Sequence, residues 1–360
     1  MGQDMNREEE IRKIEEELRR TKYNKATQYH IGQLKAKLAR LKEESEKRKA
    51  GRGKTFSIRK SGDATVLLVG FPSVGKSTLL NRITSAESRT GNYDFTTLDI
   101  IPGVMEYRSS RIQILDIPGI VPGASSGKGR GREILSFVRS ADLVIIMIDR
   151  MEQLKIIEKE MYDSGFRLNQ KKPDVIIKKT DSGGIRISST VRLTHVDRKM
   201  VKVVLKERGI HNADILIRED VTLDRLIDSV SKNRVYVKSL VVFNKIDLLT
   251  KEERDSLPKD IIQVSCLTGE GLDRLKEAIW KKLGLIRVYV KKTGKEPDME
   301  RPLIMKKDSK ITDVAERIHK DFAENFEYAR IWGPSARFPG QKVGGERTLK
   351  DGDIVELHAR

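Results

Sequence analysis

Apolar positions recur along this chain in two rhythms, and the change of rhythm divides it. Between residues 7 and 48 they fall at helical spacing. Ile11, Ile14 and Leu18 make one stripe, and Ile31, Leu34, Leu38 and Leu41 make a second with 3-4-3 intervals. The stretch Thr21-Lys22-Tyr23-Asn24-Lys25-Ala26-Thr27 interrupts them, so the pattern predicts a helical hairpin. From residue 61 onward short unbroken apolar runs take over, at 64–69, 111–115, 142–149, 235–243 and 261–264. Runs of that length, bounded by Gly, Asp and Asn, read as strands buried on both faces of a mostly parallel sheet. Helices are expected from Thr78 onward and at 272–283, which makes the class α/β.

One interval in this sheet is too long. A β-α-β unit needs only about thirty residues, yet about ninety separate Asp149 from Leu240. The interval has strand patterns at 174–178, 185–189 and 213–218 and helical patterns at 197–208 and 222–230. It therefore predicts an inserted α+β subdomain over 165–234. After Gly284 a strand at 285–290, a helix from 312 through Phe322, and strands at 328–332 and 353–357 predict a compact β-grasp module. The expected organisation is a hairpin with a basic linker (1–60), a nucleotide domain (61–164 and 235–284), the insert (165–234) and a terminal module (285–360).

The strand ends carry the candidate chemistry. Gly70-Phe71-Pro72-Ser73-Val74-Gly75-Lys76-Ser77 fits G-x-x-x-x-G-K-[ST], with Thr78 leading into helix. Backbone N–H groups of such a loop wrap a di- or triphosphate, and the helix N-terminus adds its positive end. Lys76 is expected to neutralise β- and γ-phosphate charge. Asp116-Ile117-Pro118-Gly119, followed by Ile120, continues the strand at 111–115. Asp116 would hold a Mg²⁺-bound water, and Gly119 would offer its N–H to the γ-phosphate. Ser77 and Thr97 would ligate the Mg²⁺, with Thr96 the less favoured neighbour. Asn244-Lys245-Ile246-Asp247 closes another strand. A carboxylate there accepts from the ring N–H and the exocyclic amine of guanine, a pair that adenine lacks. Ser265-Cys266-Leu267 would meet guanine O6 through its backbone. Five pieces in this order predict a GTP site, with Lys76, Thr97 and Gly119 nearest the reaction.

Charge and cysteine count narrow the setting. Lys and Arg number 71 against 53 Asp and Glu, a net +18. An excess of that sign favours a polyanionic partner, RNA or a ribosome, over the generic solubility of a heat-adapted chain. Basic residues gather in the hairpin (Arg19, Arg20, Lys22, Lys25, Lys35, Lys37, Arg40) and in the linker (Lys47, Arg48, Lys49, Arg52, Lys54). No aromatic platform accompanies them. In the terminal module Arg330, Trp332, Arg337 and Lys342 are weaker candidates, because Trp332 reads equally as core. A single cysteine excludes an intrachain disulfide framework and suits a reducing compartment, so a cytoplasmic monomer is expected. No apolar run reaches eighteen residues and the N-terminus is densely charged from Arg7 onward, so neither a membrane span nor a signal peptide is expected. No DNA partner is expected.

These residues resemble the developmentally regulated GTP-binding proteins, a branch of the Obg-related translation-factor GTPases. The resemblance runs through the turn at 21–27, the phosphate loop, Phe95-Thr96-Thr97-Leu98, Gly127-Lys128-Gly129-Arg130-Gly131-Arg132, Ile210-His211-Asn212-Ala213-Asp214 and Asn233-Arg234-Val235-Tyr236. It implies an N-terminal helix-turn-helix, a G domain interrupted by an insert like the second domain of ribosomal protein S5, and a C-terminal TGS domain. It also implies association with translating ribosomes, and eukaryotic members bind dedicated regulatory proteins.

Two positions bear on mechanism. Ile120 stands where Ras-like enzymes carry the Gln that orients the attacking water, so unassisted hydrolysis is expected to be slow. Related GTPases with an apolar residue there use K⁺, often held by an Asn of the phosphate loop. Ser73 stands at that place and is the candidate K⁺ ligand. The stretch 123–132, with four glycines and Lys128, Arg130 and Arg132, reads as a switch that orders on GTP or on a partner. The sequence is thus read as a GTP-hydrolysing regulatory factor of translation. The alternative from another class is an RNA- or ribosome-binding scaffold in which the nucleotide is mainly structural. A P-loop kinase is disfavoured by Asn244-Lys245-Ile246-Asp247.

Overall fold

A computed structural model describes residues 2–22, 24, 26–50, 62–84, 101–116 and 140–359, with backbone only at 2–6 and 46–50. Along the chain run α1 (Gly2–Arg20), α2 (Gln28–Ala50), β1 (Ala64–Gly70), α3 (Lys76–Ile83), β2 (Ile101–Tyr107), β3 (Ser110–Asp116), β4 (Leu143–Ile148) and α4 (Met151–Asp163). Next come β5 (Phe166–Leu168), β6 (Val175–Lys179), β7 (Ile185–Ser189), α5 (Arg198–Glu207), β8 (Ala213–Ile217), α6 (Leu223–Val230) and β9 (Val235–Phe243). A 3₁₀ turn (Ile246–Leu248), α7 (Lys251–Ser256), β10 (Ile262–Gln263) and α8 (Leu272–Leu283) follow. The chain closes with β11 (Leu285–Lys291), β12 (Leu303–Lys306), α9 (Ile311–Ile318), α10 (Lys320–Glu324), β13 (Phe326–Trp332), β14 (Gln341–Val343) and β15 (Asp353–Ala359). These elements form two compact units, residues 1–55 with 165–236, and residues 56–164 with 237–360.

The second unit carries the phosphate loop. Six of its strands lie in the order β10-β9-β4-β1-β3-β2. Pairing is parallel from β10 through β3 and antiparallel only at the β2 edge. Every residue of β1 and β4 is buried, as unbroken apolar runs require when both sheet faces are covered. Parallel pairing brings the C-terminal ends of β1, β3, β4 and β9 to one edge, and that edge places Gly70, Asp116, Asp149 and Asn244 together.

The same unit contains a five-stranded sheet in the order β12-β11-β15-β13-β14. Ile286, Val288, Ala329, Ile331 and Val355 form its core with Ile311 and Val314 of α9. The opposite face begins at Leu285 and Ile304, which join the core of the nucleotide domain. Lys306 reaches Asp142 at 3.2 Å nearby. The helix expected from 312 through Phe322 is corrected to two short helices. His319 between them is extended (φ −165), and its Nδ1 accepts from the Asp321 N–H to cap the second.

In the first unit α1 and α2 pair along the two expected stripes, with Ile14, Leu34 and Leu41 buried between them. The insert is a three-stranded sheet, β6-β8-β7, covered on one face by α5 and α6. Asp197 and Thr222, expected as the first helical residues, are the N-caps, accepting from the Met200 and Arg225 N–H groups. Hairpin and insert share one core. Ala36 and Ala39 of α2 pack with Val201, Val204 and Leu205 of α5. Gly32 permits the close approach, since a Cβ there would lie 2.4 Å from Met200 Sδ. Lys35 bonds Asp224 at 2.8 Å, Arg40 donates to the Glu207 carbonyl at 2.8 Å, and Arg208 reaches Glu43.

Candidate guanine-nucleotide site

Backbone geometry builds the phosphate loop. A Cβ on Gly70 would sit 2.3 Å from the Met147 carbonyl, so the loop leaves β1 pressed against β4. Gly75 has φ +100, and a Cβ there would come within 2.4 Å of Asn244 Nδ2. Ser73 also adopts a left-handed φ of 61 and is exposed, whereas Val74 between these residues is fully buried. Gly75 caps α3 with no side chain, which leaves the first-turn N–H groups for a ligand. Lys76 is 9 % exposed, and its Nζ donates to the Gly70 and Phe71 carbonyls, both at 3.0 Å. Burial pushes this ammonium below the ordinary lysine range, and the Asp116 charge pulls it partly back. Phosphate oxygens arriving here would replace neutral carbonyls with full charges.

Beside it, Ser77 Oγ donates to Asp116 Oδ2 at 2.7 Å. Asp116 is 4 % exposed, and its other oxygen, Oδ1, is buried and has no hydrogen-bond partner among the described residues. A buried carboxylate oxygen left without a donor costs free energy unless water or a cation meets it. The donor set, a hydroxyl and a carboxylate at the phosphate loop, is hard and oxygen-only. That set suits Mg²⁺, which keeps waters and takes few protein ligands.

Asn244 joins the two ends of the site. Its Nδ2 donates to the Val74 carbonyl at 2.8 Å, and its Oδ1 accepts from the Cys266 N–H at 3.0 Å. Lys245 has a left-handed φ of 65, and its Nζ holds Asp149 at 2.6 Å. Burial at the end of β4 would raise the Asp149 carboxyl, but hydrogen bonds from Lys245 and Gln153 hold it below the usual range. Asp247 sits half-buried in the 3₁₀ turn after Ile246, which anchors the turn in the core at 2 % exposure. Ser265 is fully buried, its Oγ accepting from the Thr268 N–H at 3.1 Å. Cys266 is buried, which pushes its thiol up to about 11, while Leu267 is 71 % exposed.

The comparisons with known proteins point the same way. A profile described as "50S ribosome-binding GTPase" matches residues 65–179, a profile for the C-terminal region of that domain matches 182–285, and the TGS domain matches 286–359. An uncharacterized GTP-binding protein of Methanocaldococcus jannaschii is 54% identical, covering 99% of this chain and 94% of its own. GTP-binding protein 1 of Schizosaccharomyces pombe is 47% identical and developmentally-regulated GTP-binding protein 2 of Bos taurus 44%, each over 97% of this chain and 98% of its own. The chain belongs to the developmentally regulated GTP-binding protein family. Its architecture is a P-loop G domain with a C-terminal TGS domain.

In this member of the developmentally regulated GTP-binding proteins the structure brings together residues 70–78, Asp116, 244–247 and 265–267. Thr96, Thr97, Ile117, Pro118, Gly119, Ile120 and the stretch 123–132 lie outside the described residues. Arg82, at the end of α3, was not singled out in the sequence. Its Nε donates to the Cys266 carbonyl at 3.1 Å and its guanidinium also donates to the Leu267 carbonyl at 2.6 Å. With the Cys266 N–H on Asn244 and the Thr268 N–H on Ser265, turning those carbonyls toward Arg82 leaves the Leu267 N–H between them to face a ligand. The only sequence signal was an arginine in the last turn of the helix that the phosphate loop begins.

Proposed function

We propose that this chain is a GTP-hydrolysing factor that acts on the ribosome. The observation carrying the nucleotide part is Asn244, which ties Val74 of the phosphate loop to Cys266 of the base loop through one side chain. Phosphates and a purine held by those two loops are thereby held at a fixed separation. Lys76 leaves the Gly70 and Phe71 carbonyls for the β- and γ-phosphates. Asp247 accepts from guanine's ring N–H and amine, and the Leu267 N–H meets O6. Ser77 and Asp116, with Thr97, would hold Mg²⁺, which when bound neutralises phosphate oxygens. Gly119 offers its N–H to the γ-phosphate.

Ile120 has no group to orient water, so turnover by the isolated chain is slow and rises with a partner or with K⁺ at Ser73. The ribosome is supported by the net charge of +18 and by the ribosome-binding description of the matched profile. The reading includes a cytoplasmic monomer that meets ribosomal RNA, and the single cysteine suits a reducing compartment. Sedimentation with ribosomes in GDP and in a non-hydrolysable GTP analogue tests this reading. Co-sedimentation that depends on the nucleotide, with faster GTP turnover on ribosomes, is the expected result. Equal turnover with and without ribosomes overturns it.

A further inference from the structure

The uncovered end of the C-terminal sheet carries an arrangement that the nucleotide site does not use. Strand register sets Tyr328 opposite His358, Arg330 opposite Glu356 and Lys342, and Lys291 opposite Glu356. Their strand neighbours Ala329, Ile331, Val355, Val290 and Val343 face the module's own core, so these side chains share the opposite face. Trp332, which read equally as core in the sequence, stands in this outer set.

The rings here are dressed with cations rather than with aliphatic side chains. Tyr328 and His358 stack at 4.3 Å between centroids and 12° between planes. Lys342 Nζ lies 3.7 Å over the Tyr328 ring and Lys291 Nζ 4.6 Å over the Trp332 ring. Phe338 is 60 % exposed, in the turn whose Gly340 packs against Trp332. Glu327 lies exposed at the irregular start of β13, and among the outward-facing residues paired in regular register on β13, β14, β15 and the end of β11, Glu356 is the acidic one. It is buried and already met by His358 at 2.8 Å and Lys291 at 3.8 Å. Lys342, Arg330 and Arg337 remain exposed.

We propose that this ring-and-lysine face of the C-terminal sheet binds unpaired RNA bases. It rests on the reading above that RNA is the partner, and it assigns that partner a surface. An exposed ammonium over a ring is worth less than a nucleobase stacked on the same ring. A base therefore displaces the flexible Lys342 side chain, and the freed ammonium moves to the neighbouring phosphate. Arg330 and Arg337 meet the phosphates on either side. A duplex cannot use the face in this way, because its bases present no free ring surface. An acidic peptide would use the cations and leave the rings idle.

Fluorescence anisotropy on the full chain decides the matter, with labelled twelve-nucleotide oligoadenylate, the same strand annealed to its complement, and inorganic polyphosphate as a base-free polyanion. The wild-type chain is expected to prefer the single strand over the duplex. Tyr328→Leu and Phe338→Ser should each weaken single-strand binding by about three- to tenfold without changing polyphosphate binding. Lys342→Gln should reduce the salt slope by about one phosphate. All three should keep wild-type GDP affinity, and the exposed Phe338 makes its variant safe for folding. Equal affinity for duplex, ring variants that bind the oligomer as wild type does, or parallel loss of polyphosphate binding would each overturn the proposal. A chain that sediments with ribosomes yet shows no single-strand preference overturns this inference alone. A chain with the preference that fails to sediment overturns the ribosome reading instead.

Discussion

Three side chains turn the base loop into tests. Asp247 is the proposed guanine reader, and Asp247→Asn replaces an acceptor by a donor. GTP affinity should fall by about two to four orders of magnitude while xanthosine triphosphate binding rises, as titration would show. Arg82 holds two successive carbonyls of the base loop from the far end of α3. Arg82→Met should weaken GDP by roughly tenfold, and should weaken a 2-aminopurine analogue lacking O6 much less. A uniform loss for both ligands would mean that Arg82 only supports the fold. Cys266 reports on burial. Its folded thiol is pushed up to about 11 from an ordinary 9.0, so between those values the folded state binds the extra proton. Stability tied to this group is full below pH 9 and is lost as pH rises toward 11, by about 3 kcal/mol in all. Denaturant unfolding of wild type and Cys266→Ala should converge over that window, and parallel profiles would contradict the assignment.

Between elements, the contact of α2 with α5 is the one that changes the sequence picture. Gly32 faces Met200, a flexible neighbour, so Gly32→Ala should cost little once the gain in helix propensity is included. Gly32→Phe overpacks the contact and should cost about 1–3 kcal/mol in denaturant unfolding of the first unit, with GDP affinity unchanged. Contiguous features were legible in the sequence. The phosphate loop, the Asn244–Asp247 turn and the buried strands each write their chemistry into neighbouring positions. The hairpin stripes were legible as apolar faces, and Ile14, Leu34 and Leu41 do meet. What covers Ala36 and Ala39 was not legible, because periodicity reports that a face is buried and not by what. The bond from Arg82 to Leu267 spans 185 positions, so no local pattern could announce it. The short edge strands β12 and β14 were missed for lack of length, four and three residues.

For the molecule as a whole, the count of charges and their availability differ. Lys35, Lys37 and Arg40 were read as candidate RNA contacts, yet they pair with Asp224, Glu10 and Glu207. Removing residues 1–60 would therefore uncover the insert's core as well as subtract charge, and substitutions are the cleaner experiment. Ribosome affinity should fall log-linearly with salt, by about two to three orders of magnitude from 50 to 200 mM if five phosphates are met. Lys35→Gln should leave that slope unchanged and lower the stability of the first unit. A flattened slope would mean that the hairpin, and not another surface, meets the phosphates. The first unit is also divided in the chain, residues 1–55 and 165–236, and this sets a timetable for synthesis. The hairpin leaves the ribosome first, but the helices that cover it are encoded more than a hundred residues later. At about 5–20 residues per second, Ala36 and Ala39 stay uncovered for roughly ten to forty seconds of translation. The nascent chain must carry this open face while the phosphate loop is already being made, so a chaperone that recognises α2 would act only during that interval.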